Sequence, residues 1–530
     1  MHDQLRPACF PLNRRPRPEI PKLSASTRPN GQGSTPEATA AFVLLLAVMV
    51  FTPLFRAGAT PLAALGSQLL ATGLLVAALW SPQRITISRI QAVVLLLLAL
   101  LPALYLIPLP SEIAGLLPGR SLYAEAAAFL PASDADTTST LSIYPGAASA
   151  SVLALVLPLG VFLGARMLTP RQLNALIGFL IAIATLQALF GLLQYGIESG
   201  GGMAPIVDGA HRLAAVGTYA NRNHLAGLIE MVLPVTLALL FHALSRLKVS
   251  AYATDSVKHA AASLGSRPGH ALILYASLAL LLIVGVVFTR SRTGIALTIL
   301  AIIVTAALFS RQIGRKSALG PAGVVIVLAL AAGIGIGLAP VLNRFSVEGL
   351  EGNARWQIFG TTIRGIGALF PVGGGPGVFP FAFPAYQPLE LGRAFVNRAH
   401  NDYLEWLFDF GVVGVVLAAL VIVPFALQWR RVFGADWSAR ATYIQIGCGI
   451  GALLLGLHEF VDYNLFTPAN QVVFALLLSL FLCPPEQLAD NVDRGRRRKR
   501  NTPDLVPRSP SKPTSVAPPP DQIENPFLSR

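Results

Sequence analysis

Charge is scarce in this chain. Asp, Glu, Lys and Arg make up 12% of its 530 residues, about half the share a soluble domain carries. That shortage excludes an ordinary water-soluble enzyme. Cysteine is scarcer still, with only Cys9, Cys448 and Cys483. Neither metal-ligand spacing nor a disulfide framework can be built from them. Acidic residues are also few, 26 against 40 Lys and Arg, giving a net charge of +14. The surplus is not a nucleic-acid-binding patch. It lies in short segments between apolar runs and in the two ends of the chain, where a positive-inside bias puts it.

What is present is apolar sequence, 54% of the whole, in continuous runs near the length that crosses about 30 Å of hydrocarbon. The runs do not alternate, so a β-barrel is excluded. The expected fold is all-α, a polytopic integral membrane protein of about twelve transmembrane helices, among them spans over 321–342 and 400–428. Residues 1–39 and 486–530 are polar, basic and Pro-rich, and read as disordered cytoplasmic tails flanking a membrane domain over 40–485. The polar start is too long for a signal-peptide n-region. With the N-terminus inside, the even-numbered spans return to basic segments such as Arg84/Arg89, Arg166/Arg171 and Arg430/Arg431. Both termini then lie in the cytoplasm. The opposite face receives the unusual polar segments, including a large loop over 343–399.

The densest of these is His400-Asn401-Asp402-Tyr403-Leu404-Glu405, at the mouth of an apolar run. Ionisable residues beside lipid mark a functional site by default. A histidine titrates near neutrality and suits proton transfer. Asn401 is placed to orient a substrate or the ring, while Asp402 reads as a first-turn acid that matches the helix dipole. Arg290 and Arg292 stand on the same face, in a connection too short to let them wander. The bland reading is interface anchoring; the functional one is phosphate binding through a planar, bidentate guanidinium. Arg355 lies in an amphipathic stretch of the large loop. The Gly373–Gly377 run after it, with Gly375 and Gly377, permits close backbone approach to a ligand, although glycines also make plain turns. Asn221-Arg222-Asn223-His224 opens a span, and His458-Glu459-Phe460-Val461-Asp462 closes one, with His458 and Asp462 able to pair if the helix continues. No convincing metal-ligand set appears.

The segment His400-Asn401-x9-Gly411-x-x-Gly414 resembles the His-[Asn/Ser/Gln]-x9-Gly-x-x-Gly pattern of the bacterial O-antigen ligase and O-antigen polymerase superfamily. Ser291-Arg292, Arg355, the glycine run, Asn221 to His224, and the His458-x3-Asp462-x-Asn464 and Pro468-Ala469-Asn470 segments support the likeness over about 140–485. One departure is plain: Trp356-Gln357-Ile358-Phe359 follows Arg355, where the ligases usually show Arg-x3-Leu. The resemblance implies a GT-C-type inner-membrane glycosyltransferase, inverting and independent of metal or other cofactor. Its donor would be an undecaprenyl-diphosphate-linked glycan, and its acceptor lipid A-core or a polysaccharide. His400, Arg292 and Arg355 would be catalytic. Arg290, Asn401, Asn221, Arg222, Asn223, Gly375, Gly377, His458 and Asp462 would bind substrate. Membrane lipids and envelope polysaccharide-assembly proteins are the implied partners. A polymerase or a protein O-oligosaccharyltransferase is the near alternative. A lipid-linked sugar flippase is the distant one, disfavoured because the ionisable residues collect at one face rather than at the midplane.

Overall fold

The computed structural model describes residues 34–81, 85, 87–127, 138–199, 214–219, 221–247, 264–313, 349–435, 437 and 439–488. The expected span over 321–342 and nearly all of the two tails lie outside them. The described chain is helical apart from one pair of three-residue strands: β1 (Pro108–Pro110) runs antiparallel to β2 (Thr138–Thr140), with Leu109 opposite Ser139. In chain order the helices are α1 (Pro36–Leu54), α2 (Pro61–Trp80), α3 (Arg89–Ala103), α4 (Ser111–Gly115), α5 (Ser121–Ala127), α6 (Pro145–Ala154), α7 (Val156–Met167), α8 (Pro170–Ser199) and α9 (Arg222–Arg246). There follow α10 (Arg267–Thr289), α11 (Arg292–Ile313), α12 (Gly349–Leu369), α13 (Phe379–Ala382), α14 (Asp402–Phe410), α15 (Val412–Phe433), α16 (Arg440–His458), α17 (Pro468–Phe481) and α18 (Pro485–Leu488). Among the described residues, ten segments are long and apolar enough to cross a membrane, and α17 is a shorter apolar helix. This is an all-α polytopic membrane protein.

Capping residues fix where several spans begin. Thr35, Thr60 and Ser266 each accept a backbone N–H of the first turn, with proline at the start of the helix. Ser88 and Gln91 form a reciprocal capping box at α3.

Helix α9 is apolar on all sides and is wholly enclosed by its neighbours, as such a helix must be. It packs chiefly against α10, α16 and α11. Glycines let α16 come close: a Cβ on Gly447 would meet the Val235 Cα at 2.8 Å, and one on Gly451 would strike the Met231 carbonyl. By contrast α15 and α3 leave most of their surface outward, as lipid-facing helices do.

Two expectations change. The large loop is mostly folded, because α12 occupies Gly349–Leu369 and α13 and two short 3-10 turns follow. The expected span over 400–428 is two helices, not one. Gly411 ends α14 with φ 52 and ψ −129, and the Val412 N–H donates to the Pro371 carbonyl at 2.9 Å. Only a residue without Cβ takes that backbone shape freely, and a Cβ here would also strike the Pro371 carbonyl. Gly411→Ala is therefore expected to cut the yield of folded protein several-fold, read as the monodisperse fraction after detergent extraction. A wild-type yield would contradict the packing described.

Candidate active site

Four chain segments meet at one end of the bundle. The mouths of α9 and α14 meet the turn that follows α16, and the mouth of α11 opens against α9. At the α9 mouth, Asn221 caps the helix by accepting the Asn223 N–H at 2.9 Å. At the α11 mouth, Ser291 accepts the Gly294 N–H at 3.2 Å. A Cβ on Gly294 would meet Ala226 at 2.6 Å, so α11 opens directly against the first turn of α9.

His400 precedes α14 in the left-handed region, with φ 54. Few residues with a Cβ adopt that conformation. Its ring meets the Tyr463 ring edge-on at 4.9 Å, and His224 meets the same ring edge-on at 4.8 Å. Both imidazoles thus contact one phenol ring. Burial pushes the His400 pKa below 6.5, and the nearby Arg355 guanidinium pushes the same way, while Asp462 opposes them. Its Nδ1 is buried and makes no hydrogen bond to a described residue. The ring is therefore a neutral base at physiological pH.

Asp462 is the anionic centre. Burial alone would raise its pKa, but His224, His458, Arg355 and His400 around it hold the carboxyl below the usual range. Asn223 donates its amide to Oδ2 at 2.5 Å, and the Tyr463 N–H donates to Oδ1 at 2.9 Å. The His224 Nε2 lies 4.0 Å from Oδ1, while the Nδ1 of that ring bonds the Thr467 hydroxyl at 2.9 Å. Arg355 reaches into the cluster from α12 and donates to the Val461 carbonyl at 3.2 Å. A carboxyl pair, Asp402 with Glu459, lies beside it. Burial and its neighbour Glu459 drive Asp402 well above the ordinary carboxyl range. Glu459, also buried, is pushed up to about 7. Two adjacent buried carboxyls resist ionising together.

The other residues singled out from sequence fall in different places. Asn401, not Asp402, is the α14 cap: its Oδ1 accepts the Leu404 N–H at 3.0 Å and its amide donates to the Phe460 carbonyl at 2.8 Å. Asp402 is the first helical residue, as expected, but fully buried. The pairing of His458 with Asp462 along a continuing helix does not form, because α16 stops at His458. The His458 Nδ1 instead bonds the Glu230 carboxyl at 2.9 Å, with both side chains fully buried. Arg290 is left-handed, with φ 56, and rests on Tyr195, donating to its hydroxyl at 3.1 Å. Arg292 opens α11 as an exposed residue, and Arg222 opens α9 half-buried. The glycine run approaches its own chain closely. A Cβ on Gly375 would collide with Ser142 and one on Gly377 with Ser151. The Gly377 and Phe379 N–H groups clasp the Asp409 carboxyl at 2.7 and 3.0 Å.

Two participants escaped the sequence reading. Tyr463 lay inside a motif read for its histidine and acids. Glu230 carried a legible signal, being the one acid within the apolar α9 span. Among the described residues, no group of three or more His, Cys, Asp or Glu is placed to hold a metal ion.

Residues 277–419 match the family model described as O-antigen ligase. The match takes in Arg290, Arg292, Arg355, the glycine run and His400, while the α9 mouth and the turn after α16 complete the cluster from outside it. No curated protein matches the chain. Within this polytopic helical build, the segment around His400 is therefore similar to the O-antigen ligase family over residues 277–419.

Proposed function

We propose that the protein is an inner-membrane glycosyltransferase that moves a glycan from an undecaprenyl-diphosphate donor to an acceptor hydroxyl at the periplasmic face. The observation that carries this reading is a half-buried imidazole at His400, its Nδ1 enclosed, beside the Arg355 guanidinium and the Asp462 carboxylate. His400 takes the acceptor proton. The acceptor oxygen forms its bond to the anomeric carbon as the bond from that carbon to the diphosphate oxygen breaks. The electron pair leaves with the diphosphate, and the configuration at carbon inverts. Arg355, with Arg292 from the neighbouring α11 mouth, takes up the charge that develops on the leaving group. Asp462 faces the imidazolium that forms and steadies it. No metal takes part.

The distribution of Lys and Arg supports cytoplasmic termini and a periplasmic site. The family match favours lipopolysaccharide or surface-polysaccharide assembly, with a ligase preferred to a polymerase or a protein O-oligosaccharyltransferase. Deletion of the gene followed by glycolipid analysis separates these activities. Loss of glycan capping on lipid A-core is the expected result. Capping by short chains only would identify a polymerase, and loss confined to glycoprotein would identify a protein-directed transferase.

The lowered His400 pKa fixes a pH dependence. A base whose protonated form is disfavoured stays competent at and below pH 6.5, and activity is lost as pH falls through its lowered pKa. The acid limb of kcat/KM is expected below 6.5. A limb above that value would exclude His400 as the titrating base. Arg355→Ala is expected to lower kcat by about 10²–10³-fold, the scale of one lost charge-stabilising donor. Arg355→Lys should recover only part of it, since an ammonium lacks the two-pronged grip. Full activity of the alanine variant in a membrane transfer assay would remove Arg355 from the reaction.

A further inference from the structure

His400 holds a backbone conformation that its own Cβ disfavours, so something on either side must impose it. On the far side Asn401 caps α14, and the Asp402 N–H donates to the Glu459 carbonyl at 3.0 Å. On the near side one carboxyl ties two successive residues. Glu405, fully buried one turn into α14, accepts the Ala399 N–H on Oε2 at 2.8 Å and the Arg398 guanidinium on Oε1 at 2.8 Å. Arg398 is itself pinned flat against Phe466, with its guanidinium carbon 3.8 Å from the ring centroid. Phe466 belongs to the turn that carries Asp462 and Tyr463, so the pair measures the position of residue 399 from that turn.

We propose that Glu405 is a positioning residue for the transfer reaction: through Ala399 and Arg398 it holds His400 in its left-handed seat against Tyr463. This rests on the reading of His400 as the base. A buried carboxyl is an expensive way to join two segments unless its geometry is what matters. The fork suits the task, because its two oxygens fix two successive residues at once. An error of about 1 Å at the base is enough to cost on the order of 100-fold in rate.

The test uses the full-length protein in detergent and two readouts. The first is steady-state transfer. The second is the rate at which diethyl pyrocarbonate modifies His400, read by peptide mass spectrometry, with the exposed His270 as internal control. Glu405→Gln keeps one acceptor and loses the other. It should lower kcat by about 10–100-fold with KM for donor and acceptor unchanged, and should speed modification of His400 but not of His270. Arg398→Lys, which keeps the charge beside Glu405, should retain more activity than Arg398→Ala. Arg398→Lys is read in the same two ways if the Gln variant does not accumulate. Unchanged kcat with unchanged modification overturns the proposal. Lowered kcat with unchanged modification also overturns it, because Glu405 would then act by another route. Faster modification with normal kcat would leave the positioning intact and remove His400 from catalysis.

Discussion

Replacing His400 with alanine is expected to lower glycan transfer by about 10²–10⁴-fold, the usual contribution of a positioned acid–base group, while the protein still inserts and accumulates in the membrane. The ring is dispensable for folding on the contacts it makes: one edge-on approach to Tyr463 and a buried Nδ1 with no described hydrogen-bond partner. The ties around it belong to the Ala399 and Asp402 backbone N–H groups and the Asn401 side chain. Alanine at a left-handed position strains no more than histidine does, so the folded state should survive. The measurement is transfer from lipid-linked donor in membranes matched for protein amount. Activity within a few-fold of wild type would end the assignment of His400 as the base.

The largest effect on stability is expected at Glu230. Among the described residues its carboxyl bonds only the His458 ring, both side chains are fully enclosed, and the contact joins the two most buried candidate spans, α9 and α16. Removing one member strands the other in an apolar interior. Glu230→Ala or His458→Ala should cost about 3–5 kcal/mol, the range for a broken buried pair. Replacing both with apolar residues of similar size, Glu230→Leu with His458→Phe, should recover most of that loss, since no lone polar group then remains. Thermal unfolding of the purified protein checks this. A single variant as stable as the double would mean that the pair adds nothing to the α9–α16 interface. The double variant also asks whether His458 serves the substrate: normal transfer from a stable double variant would assign this histidine wholly to the fold.

The membrane architecture was legible because hydrophobic length is a one-dimensional signal. Spans such as Pro61–Trp80 and Arg267–Thr289 are visible in composition alone. The break at Gly411 was not, because an apolar run reads through a backbone turn without changing character. The helix inside the large loop was half legible, since the alternation after Arg355 marked a surface helix but not its length. At the site, residue type located the cluster while partners stayed hidden. Asp462 and His224 are far apart in sequence, and the 4.0 Å between them depends on how α9 meets the turn after α16. The same limit misdirected His458, whose nearest acid in sequence is not its nearest acid in space. The glycine run misled in a further way: the closeness it permits was read toward a ligand, whereas Ser142 and Ser151 lie against it.

The break at Gly411 separates two mechanical regimes. Helix α15 faces mostly outward, and its tilt must answer to bilayer thickness. A continuous helix through position 411 would transmit each change of tilt to residue 400 as a lever. Instead α14 is moored to protein at both ends, through the Tyr403 hydroxyl to the Gly456 carbonyl at 2.7 Å and the Phe410 carbonyl to the Tyr105 hydroxyl at 2.8 Å. The base is referenced to the enclosed α16 rather than to the lipid, so its geometry is insulated from the thickness of the membrane that surrounds it.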